Sequence, residues 1–321
     1  MGYLVVPLIS ILLFASAPDL AGAQGLYSPS GVGFSALSGF GNSDGCTHSD
    51  PRLSGGMTFN MGYLATNRGA VFELTADPLV GTVSSVRHDY PIDGLWLALS
   101  ASGQIGDGVG IYARGSWLVP SNRQSSRTLV FGGNPEPGTW RTKVQWYNAD
   151  IAGTCSTSGT LTVIGGFRFD SFEIKFHDRD LVDPDDLATD ETNVTIMSYI
   201  PYAGVMLNSG SALKLGLIGF PYVPGNVEYD HTWGTAVIRH DGKGSFGNSV
   251  FLEAFGEYGR QLMGGHVGIF GIWTYLHGSS SLDVTRTIGG GAPTPGRYRF
   301  STDRQNWIIG GQFAMNFTSP M

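Results

Sequence analysis

The stretch Trp307–Phe317, near the end of the chain, constrains the fold more than any other. Trp307, Ile309, Phe313, Met315 and Phe317 share one parity, and Ile308, Gly310, Gln312, Ala314 and Asn316 share the other. An extended strand sends alternate side chains to opposite faces. One face here is aromatic and aliphatic, and the other is mostly small or polar. If the large face met a protein core, the sequence would read as a soluble sandwich strand. If it meets lipid, the sense is inverted, with the small polar face turned to the inside of a closed wall.

The chain start favours the inverted sense. Leu4 to Ala17 is an apolar run too short for a comfortable membrane helix, and Ala21-Gly-Ala23 has the small residues of a leader-cleavage site. Residues 1–23 are therefore expected to be a signal peptide, with 24–55 a periplasmic extension and 56–317 the folded body. After Gln24 no apolar run is long enough to span a bilayer as a helix. A membrane form must then be a closed barrel, since only helices and barrels satisfy their own backbone in lipid. The closing strand resembles that of a bacterial outer-membrane barrel, although Thr318-Ser-Pro-Met321 follow the final aromatic. With 14% charged residues and 48 glycines, the composition suits a wall between lipid and water. The net charge of −7 argues against a nucleic-acid partner.

Other segments repeat the alternation. Met57, Phe59, Met61 and Tyr63 alternate with Thr58, Asn60 and Gly62. Ile111, Ala113 and Trp117 alternate with Tyr112, Arg114 and Ser116. Leu213, Leu215 and Leu217 flank Lys214, and Leu252 flanks Glu253. Short turns fall at 106–107, 156–159, 208–211 and 261–264. Long polar segments fall at 79–92, 120–141, 179–192, 221–247 and 281–303. Short periplasmic turns alternating with long extracellular loops are the rule in such barrels. The expected fold class is therefore all-β, a transmembrane antiparallel barrel of ten strands in the bacterial outer membrane. A twelve-strand alternative makes Gly31–Phe40 a strand and folds Met57–Ala76 into a hairpin at Asn67. In the ten-strand reading Cys46 and Cys155 both lie on the periplasmic side, an oxidising compartment, and could bridge.

The inward parity carries Arg114, Asp150, Arg168, Asp170, Lys214, Glu253 and Glu257. Both signs are present, so these residues are expected to pair across a narrow lumen and fill it.

Several stretches resemble the omptins, outer-membrane endopeptidases of Gram-negative bacteria. They are Met61-Gly-Tyr-Leu-Ala65, Asn134-Pro-Glu-Pro-Gly-Thr-Trp140, Ile200-Pro-Tyr-Ala-Gly-Val205, and the run from Leu213 to Trp233 that contains Asp230-His231. The resemblance covers roughly 56–317 and implies a ten-strand barrel with its site at the outer rim. In the family an Asp pair in the second loop faces an Asp–His pair in the fourth, and together they activate a water. Here segment 120–141 has no Asp, and Thr128 and Val130 lie near where that pair would be. Asp230 and His231 are the catalytic candidates the resemblance leaves. They are adjacent, as are His240 and Asp241, and neighbours on an extended strand point opposite ways.

The third loop is the most acidic stretch. Asp178, Asp180, Asp183, Asp185 and Asp186 are candidate ligands for a divalent cation such as Ca²⁺, or simply solvated charges facing lipopolysaccharide bridged by such ions. His88, His231 and His240 would form a rim site if their loops converge. There is no zinc-type Cys/His spacing, no phosphate-binding Gly loop and no nucleophile elbow. The expectation is a monomeric, non-proteolytic surface barrel with no resident cofactor. Its loops would bind ligands, peptides, lipopolysaccharide or other surfaces. A rearranged endopeptidase and a narrow pore are the alternatives.

Overall fold

The period-two pattern is realised along nearly all of the described residues. A computed structural model describes residues 54–318 apart from 67–69, 77–82, 107, 132, 158–159, 178–190, 210–212, 234–237 and 263–264. Its strand segments are β1 (Ser54–Thr66), β2 (Ala70–Ala76), β3 (Val83–Tyr90), β4 (Gly94–Gly106), β5 (Val109–Phe131), β6 (Asn134–Ser156), β7 (Leu161–His177), β8 (Glu191–Ser209), β9 (Leu213–Phe220), β10 (Gly225–Trp233), β11 (Ile238–Leu262), β12 (Gly265–Ile288) and β13 (Thr294–Thr318). The signal peptide, residues 24–53 of the extension, Gly31–Phe40 and Cys46 lie outside the described residues, and the last two extension residues, Ser54 and Gly55, already belong to β1.

The segments form one antiparallel ring. At the end bearing the short turns the order is β1-β4-β5-β6-β7-β8-β9-β11-β12-β13, closed where β13 returns to β1 with Tyr63 opposite Ile309. At the other end β2 and β3 stand between β13 and β5, and β10 stands between β8 and β11. Ten wall positions therefore persist from bottom to top. Among the described residues β1 and β2 do not pair with each other, as the hairpin alternative for Met57–Ala76 requires. β1 and β2 both run antiparallel to β13, with Thr66 opposite Asn306 and Val71 opposite Asp303, so they are one interrupted strand.

Two further interruptions coincide with prolines, which cannot donate to a ladder. Pro91 separates β3 from β4, and Thr66 patches that gap by donating its N–H to Asp93 Oδ1 (3.3 Å) and accepting from the Ile92 N–H (3.4 Å). Pro221 and Pro224 separate β9 from β10. There Ser249 Oγ accepts from the Val223 N–H and donates to the Val223 carbonyl, both at 2.7 Å.

Most of the segments expected to be long loops are strands instead. β5 and β6 pair up to Phe131 and Asn134, and β12 and β13 pair up to Arg286 and Thr294. These stretches are polar because their outer face meets water, while their inner face keeps burying residues such as Trp140, Leu282 and Tyr298.

The outer surface divides into two zones. The lower zone is apolar, with Met57, Phe59, Ile111, Ile151, Leu217, Leu252, Ile309 and Phe313 all exposed. An aromatic belt bounds it above, where Trp117 pairs with Tyr147, Phe169 with Tyr199, and Trp273 with Trp307. From Trp307 to Phe317 the strand covers about 25 Å of height at ~3.3 Å per residue and the usual barrel tilt, which matches a bilayer's apolar band. Above the belt the outer face carries ion pairs such as Arg87–Asp89, Lys175–Glu173, Lys243–Glu228 and Arg297–Asp283.

The interior is packed. Inward glycines sit beside large inward side chains: Gly216 against Phe255, Gly166 against Tyr202, and Gly225 and Gly278 against Phe246. Alternating small and large residues fills a narrow lumen.

Candidate functional site

Two inward constellations stand at different heights. The lower lies inside the membrane zone. Arg168 is central: its Nη1 and Nη2 donate to Glu253 Oε2 and Oε1 at 2.7 and 3.0 Å, and its Nε donates to Asp150 Oδ2 at 2.9 Å. Arg114 Nη2 donates to the same Asp150 oxygen at 2.6 Å. Lys214 pairs with Glu257 at 3.0 Å. Asp170 accepts from Arg304 Nη2 at 2.5 Å and from the indole N–H of Trp146. The Arg304 guanidinium lies over Phe172, 4.4 Å from the ring centroid. The four cations Arg114, Arg168, Lys214 and Arg304 thus face the four carboxylates Asp150, Asp170, Glu253 and Glu257, and all eight side chains are buried. Arg304 was missed in the sequence, although it shares the parity of Asn306, Ile308 and Gln312. Bidentate geometry and shared carboxylates are what make buried charge tolerable. The network balances its own charges across the inside of the wall.

The upper constellation lies near the top of the extracellular wall. Along β12, Arg286 stands about 30 Å above Trp273 at ~3.3 Å per residue and the usual tilt. The register places Thr192 of β8, His231 of β10, His240 of β11 and Arg286 of β12 in one cross-strand row. His231 Nδ1 is 2.7 Å from Thr192 Oγ1, and His240 Nδ1 is 3.2 Å from the Tyr298 hydroxyl. The two imidazoles are 5.7 Å apart, and Tyr229 stacks on His231 at 6.2 Å. On the facing wall His88 stacks on Phe176 at 4.2 Å, and Arg127 lies 4.9 Å over Trp140.

Burial, then the positive charge of Arg127, holds His88 down at about 3. Burial and the neighbouring His240 hold His231 at about 3, and burial with Arg286 holds His240 at about 4. All three imidazoles are neutral at ordinary pH.

The three rim histidines therefore do converge on the inside of the wall. The catalytic candidates separate. Asp230 pairs in register with Asp241, as His231 does with His240. The two carboxylates lie on the outer face, each 3.0 Å from Arg239 Nη2, while the imidazoles face inward. Asp230 and His231 form no dyad. Among the described side chains no carboxylate faces inward at this height. The candidate metal ligands Asp178, Asp180, Asp183, Asp185 and Asp186 lie outside the described residues. Among the described residues no three His, Cys, Asp or Glu side chains are grouped to hold a metal ion. Cys155, at the short-turn end of β6, is disulfide-bonded, and its expected partner Cys46 is outside the described residues.

The closed antiparallel ring, the apolar zone under an aromatic belt and the polar upper wall define a bacterial outer-membrane β-barrel. The chain is similar in structure to the outer-membrane protease OmpT from Escherichia coli. The TM-score is 0.63 at 12% identity, over 85% of this chain and 99% of that one. It also aligns with the translocator domain of the autotransporter NalP from Neisseria meningitidis (TM-score 0.39, 11% identity, 83% of this chain and 89% of that one) and with OprG from Pseudomonas aeruginosa (0.34, 12%, 84% and 99%). No protein family matches the chain, and no curated protein matches it in sequence.

Proposed function

We propose that this protein is a non-proteolytic outer-membrane barrel of omptin-like architecture, whose tall extracellular end is a binding cup with a sealed floor. One observation carries the reading. The β10–β11 hairpin puts histidines inside and aspartates outside, so no described carboxylate is placed to work with an imidazole on a water. An omptin-type mechanism needs carboxylates and an imidazole around one water, and a site is judged by such geometry rather than by fold likeness. The cup would take ligands, peptides among them, and the outer wall and rim would contact lipopolysaccharide or other surfaces, with outer-membrane lipid around the lower zone. The acidic segment 178–190 would meet lipopolysaccharide through divalent cations. No resident cofactor is required, and the barrel would act as a monomer.

An endopeptidase with a rearranged site is the second reading, favoured by the shared fold with OmpT. A narrow pore is the third, and the ion-paired floor speaks against it. The test is to incubate purified, refolded protein with lipopolysaccharide and with a panel of peptides containing basic residues. Binding without cleavage is expected. Cleavage that His231→Ala abolishes would replace this reading with the endopeptidase.

A further inference from the structure

We propose that the upper cup holds an oxyanion, a phosphate or carboxylate group carried by a solute or chain arriving from outside the cell, bound between Arg286 and the His231–His240 pair. The inference rests on the reading of the upper barrel as a binding cup and names the chemistry that the cup takes.

Arg286 is half-buried and faces inward, and its Nε is buried with no hydrogen-bond partner. Its register partner His240 uses Nδ1 on Tyr298 and leaves a buried Nε2 with no partner. A buried donor without an acceptor is costly, and native structures seldom keep one unless ordered water or a bound group completes it. Arginine carries donors only, in a planar fork that matches carboxylate and phosphate oxygens. When the Tyr298 hydroxyl donates to Nδ1, the ring proton of His240 sits on Nε2 and adds a donor beside the guanidinium. The floor network cannot compensate, because its cations and carboxylates already balance one another. Tyr229, Tyr298 and Trp140 give the cup apolar walls in which a charge-assisted bond is little screened. The row stands about 30 Å above the aromatic belt by the strand-rise estimate, too far for a membrane headgroup to enter.

The probe is phenyl phosphate, titrated into refolded protein in detergent micelles by calorimetry, with inorganic phosphate as a second titrant. Saturable binding of both is expected. Arg286→Gln should weaken it by about tenfold or more, the scale of one charge-assisted bond. His240→Ala should weaken it less, and Arg297→Gln on the outer face should leave it unchanged. Each variant is first checked for the heat-dependent gel shift of a folded barrel. Absence of saturable binding, or wild-type affinity in Arg286→Gln, overturns the proposal. Displacement of phenyl phosphate by purified lipopolysaccharide would overturn the assignment to a solute. Peptide cleavage in the separate assay would overturn the non-proteolytic reading and leave the anion measurement standing on its own.

Discussion

His231 and His240 face each other across a hairpin whose other face pairs Asp230 with Asp241 under Arg239. The neutral imidazoles have a consequence for stability. Their folded pKa values, about 3 and 4, lie below the ordinary histidine value of 6.5, as does that of His88 at about 3. Between those limits the unfolded chain binds more protons than the folded one, so stability falls as pH falls. The contribution is fully present above about pH 6.5 and is lost toward pH 3–4. Hydrogen-exchange protection factors, corrected for the intrinsic pH dependence of exchange, should therefore fall at β10 and the upper half of β11 between pH 6 and 4 while those of the lower barrel hold. His231→Gln with His240→Gln should flatten that dependence. In the floor, Arg168→Met would leave Glu253 and Asp150 buried without their main partner. The expected loss is about 3–5 kcal/mol, read from urea unfolding in detergent, with Arg297→Met near zero as the surface control.

At the scale of the strand, the lower wall was legible in the sequence and the upper wall was not. Met57 to Tyr63, Ile111 to Trp117 and Trp307 to Met315 each keep one parity from end to end, so their faces follow directly from the residues. Three strands change parity partway up. On β5 the inward set passes from Tyr112, Arg114, Ser116 and Leu118 to Ser125 and Arg127, across an irregularity at Val119-Pro120. On β11 it passes from Phe246 to Ser249 across a bulge at Gly247. Between β9 and β10 it passes from Lys214 and Ile218 to Val223, Val227 and Tyr229 across Pro221 and Pro224. Each bulge inserts a residue and reverses every side chain above it. Polar composition then made those stretches read as loops. That Asp230 and His231 take opposite faces was legible. That His231, His240 and Arg286 share a row was not, because it depends on register set by those bulges.

The same register makes predictions. Ile111→Arg, on the lipid face near the middle of the band, should cost about 2–4 kcal/mol. Ser279→Arg, on the outer face above the belt, should cost almost nothing. At the closing seam Gly62 pairs with Gly310, and a Cβ on Gly310 would lie 2.2 Å from the Met61 carbonyl oxygen. Gly310→Val should therefore impair closure, seen as a smaller folded fraction on an unboiled gel, while Gly271→Ala, with open space around it, should not.

For the whole molecule, the barrel spans the membrane with its lower zone, and on the proposed reading it is sealed there by paired charges and lifts a cup of histidines, aromatics and arginines well above the surface. Closure of every backbone ladder should give a band that shifts on boiling in dodecyl sulfate. The sealed floor is the central claim, because it separates a cup from a pore. Arg168, Arg114, Asp150 and Glu253 join neighbouring and facing strands across the lumen, and removing that cross-link is the way to open it. The direct measurement is single-channel conductance in planar bilayers. The wild-type protein is predicted to give no conductance steps, and the double variant Arg168→Ala, Glu253→Ala is predicted to give discrete openings. Steady open-channel steps from the wild-type protein, unchanged by that double substitution, would contradict the account.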